Sequence, residues 1–166
     1  MKIKITAPEK TGKKTIHLPA SKSISNRALI IRALCSDGFK INNLSKSNDT
    51  KVLLRALDNL PEKIIDIGAA GTAMRFLTAF LSLTPGERIL TGSERMKQRP
   101  IKILVDILRE LGAEIGYLEN EGIPPIKIKG PKLNTKPIKI KGNISSQFIS
   151  ALLMIAPTLK KGLKIH

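Results

Sequence analysis

Cations crowd the start of what reads as a helix. Pro19-Ala20-Ser21-Lys22-Ser23-Ile24-Ser25-Asn26-Arg27-Ala28-Leu29-Ile30 follows Thr15-Ile16-His17-Leu18, which reads as a short strand. Pro19 ends that strand, and Ser21 is a good N-cap because its hydroxyl can accept from an orphan backbone N–H. The helix is expected from about Lys22 to Cys35. Its first turns hold Lys22 and Arg27 and no carboxylate. A helix N-terminus carries partial positive charge, so each cation there is unfavourable by roughly 0.3–1 kcal/mol. Free N–H groups, hydroxyls and these cations together make a site for phosphate or carboxylate. Ser23 and Arg27 share a helix face.

The same device recurs along the chain. Gly68-Ala69-Ala70-Gly71-Thr72 opens a helix with Arg75 one turn in; its glycines allow a ligand to approach the backbone closely. Taken alone, close packing explains most such turns. Arg95-Met96-Lys97-Gln98-Arg99-Pro100 sets cations at alternate positions before a helix that Pro100 is expected to start. For this segment alone, a solvated basic loop is as good a reading as a site. Ser145-Ser146-Gln147 offers neutral donors at another helix start, where serine caps are common. Recurrence is the stronger signal, because these turns could converge. The chain has no GxxxxGK[ST] loop, no metal-ligand spacing and no nucleophile beside a histidine. His17 reads as structural. The sequence is rich in anion-binding groups and poor in proton-transfer groups, and no metal or cofactor is expected.

The elements that must position these turns follow from periodicity. Met1–Ala7 and Thr15–Leu18 read as strands, joined by a turn at Thr11-Gly12-Lys13. The first helix is expected to bury Ile24, Ala28, Ile31 and Cys35, with Gly38 as its C′ residue. Cys35 is expected to be a buried small hydrophobe. Phe39–Leu44 reads as a strand. A helix capped by Asn48 or Asp49 runs through Val52, Leu53, Ala56 and Leu57 to Pro61. Then come a strand at Ile64–Ile67, a helix through Met74, Leu77, Phe80 and Leu81, a strand at Glu87–Thr91, a helix at Ile101–Leu111 ended by Gly112, and a strand at Glu114–Leu118. Two lysine–isoleucine strands follow, Ile126–Lys129 and Ile138–Lys141, with their lysines on a solvated face. The last helix is Phe148–Ala156, and Lys160–His166 reads as a turn into another strand. The class is α/β with a mixed sheet. Leu18-Pro19-Ala20-Ser21-Lys22-Ser23 is echoed by Lys141-Gly142-Asn143-Ile144-Ser145-Ser146, which points to a repeated module.

Composition narrows the classes. The 166 residues are 42% hydrophobic and 25% charged, an ordinary globular balance. Net charge is +16, which asks for anionic partners. A basic nucleic-acid or scaffold-binding module is the alternative reading. Against it, aromatics make up 3% of the chain, so stacking platforms for bases are scarce. No apolar run is long enough to span a bilayer and nothing reads as a signal peptide, so no membrane partner and a cytoplasmic protein are expected.

The motifs match a known family in order. The Pro19–Leu29 stretch closely resembles the N-terminal signature of the 3-phosphoshikimate 1-carboxyvinyltransferase (5-enolpyruvylshikimate-3-phosphate synthase) family. Gly71-Thr72-Ala73-Met74-Arg75 resembles its second signature. Leu90-Thr91-Gly92 with Arg95–Ile101 resembles the third. Ser145-Ser146-Gln147-Phe148 with Ala151-Leu152-Leu153-Met154 is similar to the fourth. The resemblance covers nearly the whole chain. It implies transfer of the enolpyruvyl group of phosphoenolpyruvate to the 5-hydroxyl of shikimate 3-phosphate, in the shikimate pathway of aromatic amino-acid biosynthesis. Lys22, Ser23, Arg27, Ser145, Ser146 and Gln147 would hold shikimate 3-phosphate. Lys22, Gly71, Arg99 and Gln147 would meet phosphoenolpyruvate, with Thr72 and Arg75 supporting the loop.

The resemblance also implies a fold of two domains built from repeated βαβαββ units, incomplete in this chain. Residues 19–166 would form most of a truncated N-terminal substrate-binding domain. The leading strands, residues 1–18, would belong to the second domain, and a missing C-terminal domain is the expected partner. The family's proton-transfer carboxylates would lie beyond residue 166, so the chain alone is not expected to turn over. Three departures from the family pattern are Ala69 for a frequent Asn, Phe76 for a frequent Pro, and a short Leu60–Ile67 connection.

Overall fold

The computed structural model describes residues 2–7, 12–13, 15–60, 62–130 and 133–166. Two helices come first, α1 (Lys22–Leu34) and α2 (Asn48–Asp58). One complete βαβαββ unit follows: β1 (Ile64–Asp66), α3 (Gly71–Leu81), β2 (Gly86–Thr91), α4 (Lys102–Glu110), β3 (Glu114–Tyr117) and β4 (Ile126–Gly130). The helix α5 (Ser146–Ile155) comes last among the α-helices of the described residues. The sheet order is β1-β2-β4-β3. β1 runs parallel to β2, while β4 lies antiparallel between β2 and β3. The sheet is therefore mixed, as expected. Lys127 and Lys129 point from the wet face of β4 and pair with Glu87 and Glu114, each at 3.4 Å.

The helix α3 is the centre of the core. Ala73, Met74, Phe76, Leu77 and Ala79 are fully buried, so it is apolar nearly all round. It packs against α1, α2, α4, α5, β2 and β4. Its buried hydroxyls bond back along the helix: Thr78 Oγ1 donates to Met74 O at 2.7 Å, and Ser82 Oγ donates to Thr78 O at 2.8 Å. No buried hydroxyl there is left without an acceptor, which keeps the helix compatible with a dry interior.

α1 turns a different face inward from the one expected. Ile24 is 70% exposed, Ile31 is 43% exposed and Cys35 is exposed. The buried residues are Ser25, Asn26, Leu29 and Ile30. Small polar side chains can face the core here because α2 and the loop before it supply partners for Ser25 Oγ and Asn26 Oδ1. Ser45 N donates to Ser25 Oγ at 3.0 Å, and Thr50 Oγ1 donates to Asn26 Oδ1 at 2.8 Å. Cys35 is the C-cap rather than a core residue. Gly38 has φ 59° but lies beyond the C′ position.

Other boundaries shift for local reasons. Ser47, not Asn48 or Asp49, caps α2: its Oγ accepts from Thr50 N at 3.4 Å. Pro100 precedes the Ile101 cap of α4 and does not start the helix. α5 begins at Ser146 behind a Ser145 cap.

Residues 2–7, 15–18 and 39–44 form no strand. Alternation makes a strand only when a ladder partner is present. Asn43, at φ 57°, also bends the third segment out of extended geometry. Ile138–Lys141 forms an isolated bridge, Ile138 with Ile165, rather than a strand of the sheet. Because α5 lies between those two parallel segments, the bridge marks the start of a second βαβ arrangement. The expected turn at Thr11 and stop at Pro61 lie outside the described residues.

Candidate functional site

A cavity of about 480 Å³ opens where helix starts converge. α1 supplies Lys22 and α2 supplies Asp49. The turn into α3 supplies Ala69, Gly71 and Thr72. Arg95, Met96 and Arg99 come from the loop after β2, and Gln147 from the first turn of α5. The loop is folded by a 3₁₀ turn at Met96–Gln98. It sits close because Gly92 has no side chain: a Cβ there would run into the carbonyl of Gly68. Ser93 N donates to that carbonyl at 3.0 Å, which fastens the loop to the α3 turn.

The α3 turn is held from behind. Asp66 Oδ1 accepts from Gly68 N at 2.7 Å. Arg75 is 6% exposed and reaches two backbone acceptors. Its Nη1 donates to Gly71 O at 3.0 Å and its Nη2 to Pro100 O at 3.2 Å. One buried guanidinium thus ties the turn to the end of the Arg95–Pro100 loop. Burial, and then the neighbouring Arg99, lower its pKa to about 10, so it stays protonated at neutral pH. Gln147 Nε2 donates to Thr72 Oγ1 at 3.2 Å and joins α5 to the same turn.

The lining is cationic. Lys22, Arg95 and Arg99 face one carboxylate, Asp49, which pairs with Lys22 at 3.2 Å. The Arg99 guanidinium lies directly against Gly71, where any Cβ would overlap it. Ala70 caps α3 without a side-chain hydrogen bond, so that end offers its N–H groups to a ligand. Lys97 turns away to Glu94 at 3.1 Å and Glu119 at 3.6 Å, and these carboxylates hold its pKa above the ordinary lysine value. The alternate cations of Arg95-Met96-Lys97-Gln98-Arg99 therefore split into two facing the cavity and one facing acid partners.

The residues expected at the site fall into two groups. Lys22, Gly71, Thr72, Arg99 and Gln147 line the cavity, with Arg75 behind them. Ser23, Ser145 and Ser146 are exposed at the starts of α1 and α5 and do not line it. The Ser145 hydroxyl accepts from Gln147 N at 3.3 Å and so acts as a cap. Arg27 points into an apolar groove between α1 and α5, with Ile31, Leu34, Leu153 and Met154. It donates to Ser150 Oγ at 2.8 Å and to Ser23 O at 3.1 Å, and lies 5.6 Å from the centre of the Phe76 ring. Sequence reasoning did not place Asp49 at the site. Its pairing with Lys22 spans 27 positions and needs α1 packed on α2, so no local pattern signals it. Among the described residues no group of His, Cys, Asp or Glu is arranged to hold a metal ion.

The mixed-sheet βαβαββ unit belongs to an incomplete enolpyruvyl transferase type of fold. The solved EPSP synthase of Acinetobacter baumannii superposes with a TM-score of 0.77, at 22% identity, over 85% of this chain and 37% of that one. The chain belongs to the EPSP synthase (3-phosphoshikimate 1-carboxyvinyltransferase) family, whose model matches residues 6–65 and 59–166. A curated 3-phosphoshikimate 1-carboxyvinyltransferase of Bacteroides fragilis (strain YCH46) is 59% identical over the whole chain. One from Sulfurovum sp. (strain NBC37-1) is 45% identical over 90% of it. The chain spans 40% and 41% of the lengths of these two proteins.

Proposed function

We propose that this chain carries part of the substrate site of an enzyme that transfers the enolpyruvyl group of phosphoenolpyruvate to the 5-hydroxyl of shikimate 3-phosphate. The transfer forms a C–O bond to the shikimate oxygen and releases phosphate from the enol carbon. The observation that supports this reading is the meeting of Lys22, Gly71, Arg99 and Gln147 in one cavity, although they come from separate parts of the chain. Lys22 and Arg99 neutralise the phosphate and carboxylate of phosphoenolpyruvate through charge-assisted hydrogen bonds. The open N–H groups at Gly71 and Thr72 add donors of fixed direction. Gln147 lies between the two substrates.

In this reading shikimate 3-phosphate lies against the starts of α1 and α5, with Ser23, Ser145 and Ser146 on its phosphate. Arg27 joins them by exchanging Ser150 for the ligand. Residues 1–18 are assigned to a second domain: Ile3, Ile5, Ile16 and Leu18 are 74–89% exposed and are available to pack against it. A C-terminal domain would complete the site and supply the proton-transfer groups, because Asp49, the carboxylate that lines the cavity, is engaged with Lys22. The enzyme is assigned to the cytoplasm; among the described residues no helix is long and apolar enough to cross a membrane.

Calorimetric titration of the chain with phosphoenolpyruvate tests the reading. The expected result is weak binding that falls at least about tenfold in Arg99→Ala, on the scale of a lost charged hydrogen bond. Equal binding by wild type and variant would overturn it. Salt-sensitive binding of random oligonucleotides, unaffected by phosphoenolpyruvate, would favour a nucleic-acid module instead.

A further inference from the structure

Asp49 is out of place in an anion site. It lines the same cavity as Lys22, Arg95 and Arg99, and its carboxylate lies 3.2 Å from the Lys22 ammonium. We propose that Asp49 is an internal counter-ion: it occupies Lys22 while the cavity is empty and lowers the affinity of the site for phosphate-bearing ligands. The proposal rests on the cavity being the anion site described above and adds a residue that regulates it. A bound phosphate must take Lys22 from Asp49 and then sit beside that carboxylate. The effect is to keep a strongly cationic pocket from holding phosphate, a product of the proposed reaction, too firmly.

The competing role for Asp49 is support. It sits in the first turn of α2, where a carboxylate favours the helix dipole. It could also hold Lys22 in position. The pair is partly exposed, however, with side-chain exposures of 49% for Lys22 and 27% for Asp49. Ion pairs at such exposure fix geometry weakly. The carboxylate's charge acts on a bound anion whether or not the pair is geometrically tight. The two roles predict opposite signs. Loss of support lowers both stability and anion affinity. Loss of a counter-ion lowers stability slightly and raises affinity, and it does so more for a dianion than for a monoanion, because repulsion scales with ligand charge.

Titration of the full chain and its Asp49→Asn variant with inorganic phosphate and with acetate decides between them, at pH 8 and low salt, where screening is small. The expected gains in the variant are about tenfold for phosphate and about threefold for acetate, with a slightly lower Tm. Phosphate affinity that is unchanged or weaker overturns the proposal. So do equal gains for the two anions, or no measurable phosphate binding by either protein. Asp49→Ser gives the same comparison if the Asn variant does not fold. Failure of phosphoenolpyruvate to displace phosphate from wild type would sink the proposed function, while the comparison of phosphate with acetate would still read the effect of Asp49.

Discussion

Gly71 shows how much a single hydrogen atom can matter at this site. The Arg99 guanidinium occupies the space a Cβ would need. In Gly71→Ala the side chain that yields is the far end of a flexible arginine, so the backbone need not move. Gly71 is also the first residue of α3 and does not have a positive φ, so alanine brings no backbone strain there. Stability and binding should therefore separate: Tm is held while phosphoenolpyruvate affinity falls several-fold. A thermal melt beside a calorimetric titration reads both, and a fall in Tm with unchanged affinity would contradict this account of Arg99. The glycine was legible in the sequence as a place for close approach. That its neighbour is an arginine from the Arg95–Pro100 loop was not, because the contact joins two separate elements that meet only in the folded chain, where Arg75 also bonds to Gly71 O and Pro100 O.

At the scale of elements, α1 and α2 are joined by a buried polar seam. Asn26 is fully buried, and its Nδ2 has no partner. Its Oδ1 depends on Thr50 Oγ1, which also lies 2.9 Å from Ser47 Oγ. Thr50→Val keeps the shape and removes the hydroxyl. Leaving Asn26 wholly unpaired should then destabilise the chain by about 1–3 kcal/mol. A lower urea midpoint at unchanged slope would register that loss; a midpoint within error of wild type would show that the seam does not hold the helices together. This seam explains the main misreading of the sequence. Ser25 and Asn26 look like solvent-facing residues until the hydroxyl and backbone donors that meet them are known, and those donors lie on another element. The strands of the βαβαββ unit were legible because each apolar or alternating run lies between clear turns and also finds a ladder partner in the folded sheet. Residues 2–7, 15–18 and 39–44 have the right alternation and no ladder, so pattern alone overstates them. Helix starts carry local signals, so Lys22, Gly71, Thr72, Arg99 and Gln147 could be named from the sequence, whereas Asp49 could not and Ser23, Arg27, Ser145 and Ser146 do not line the cavity.

For the whole molecule, the spread of the cavity along the chain is the governing fact. Its walls run from Lys22 to Gln147, and no single segment supplies all of them. α3 lies at the middle of both the core and the site, so the packing that buries Met74 and Phe76 is the packing that aims Gly71 and Thr72. Occupancy is consequently coupled to complete folding. A chain with α5 detached loses Gln147, and one with α1 detached loses Lys22, so partly folded forms should have little affinity for the ligand. By mass action, a ligand at a hundredfold excess over its Kd should stabilise the native chain by about 2.7 kcal/mol. For a domain of this size that is a rise of roughly 5–10 °C in Tm. Inorganic phosphate should raise the wild-type melt about twice as far as that of Arg99→Ala if affinity falls about tenfold in the variant; equal shifts in both would place the stabilising ion elsewhere. The scattered walls thus make phosphate a reporter of folding, and its availability would set how long the assembled chain survives heat.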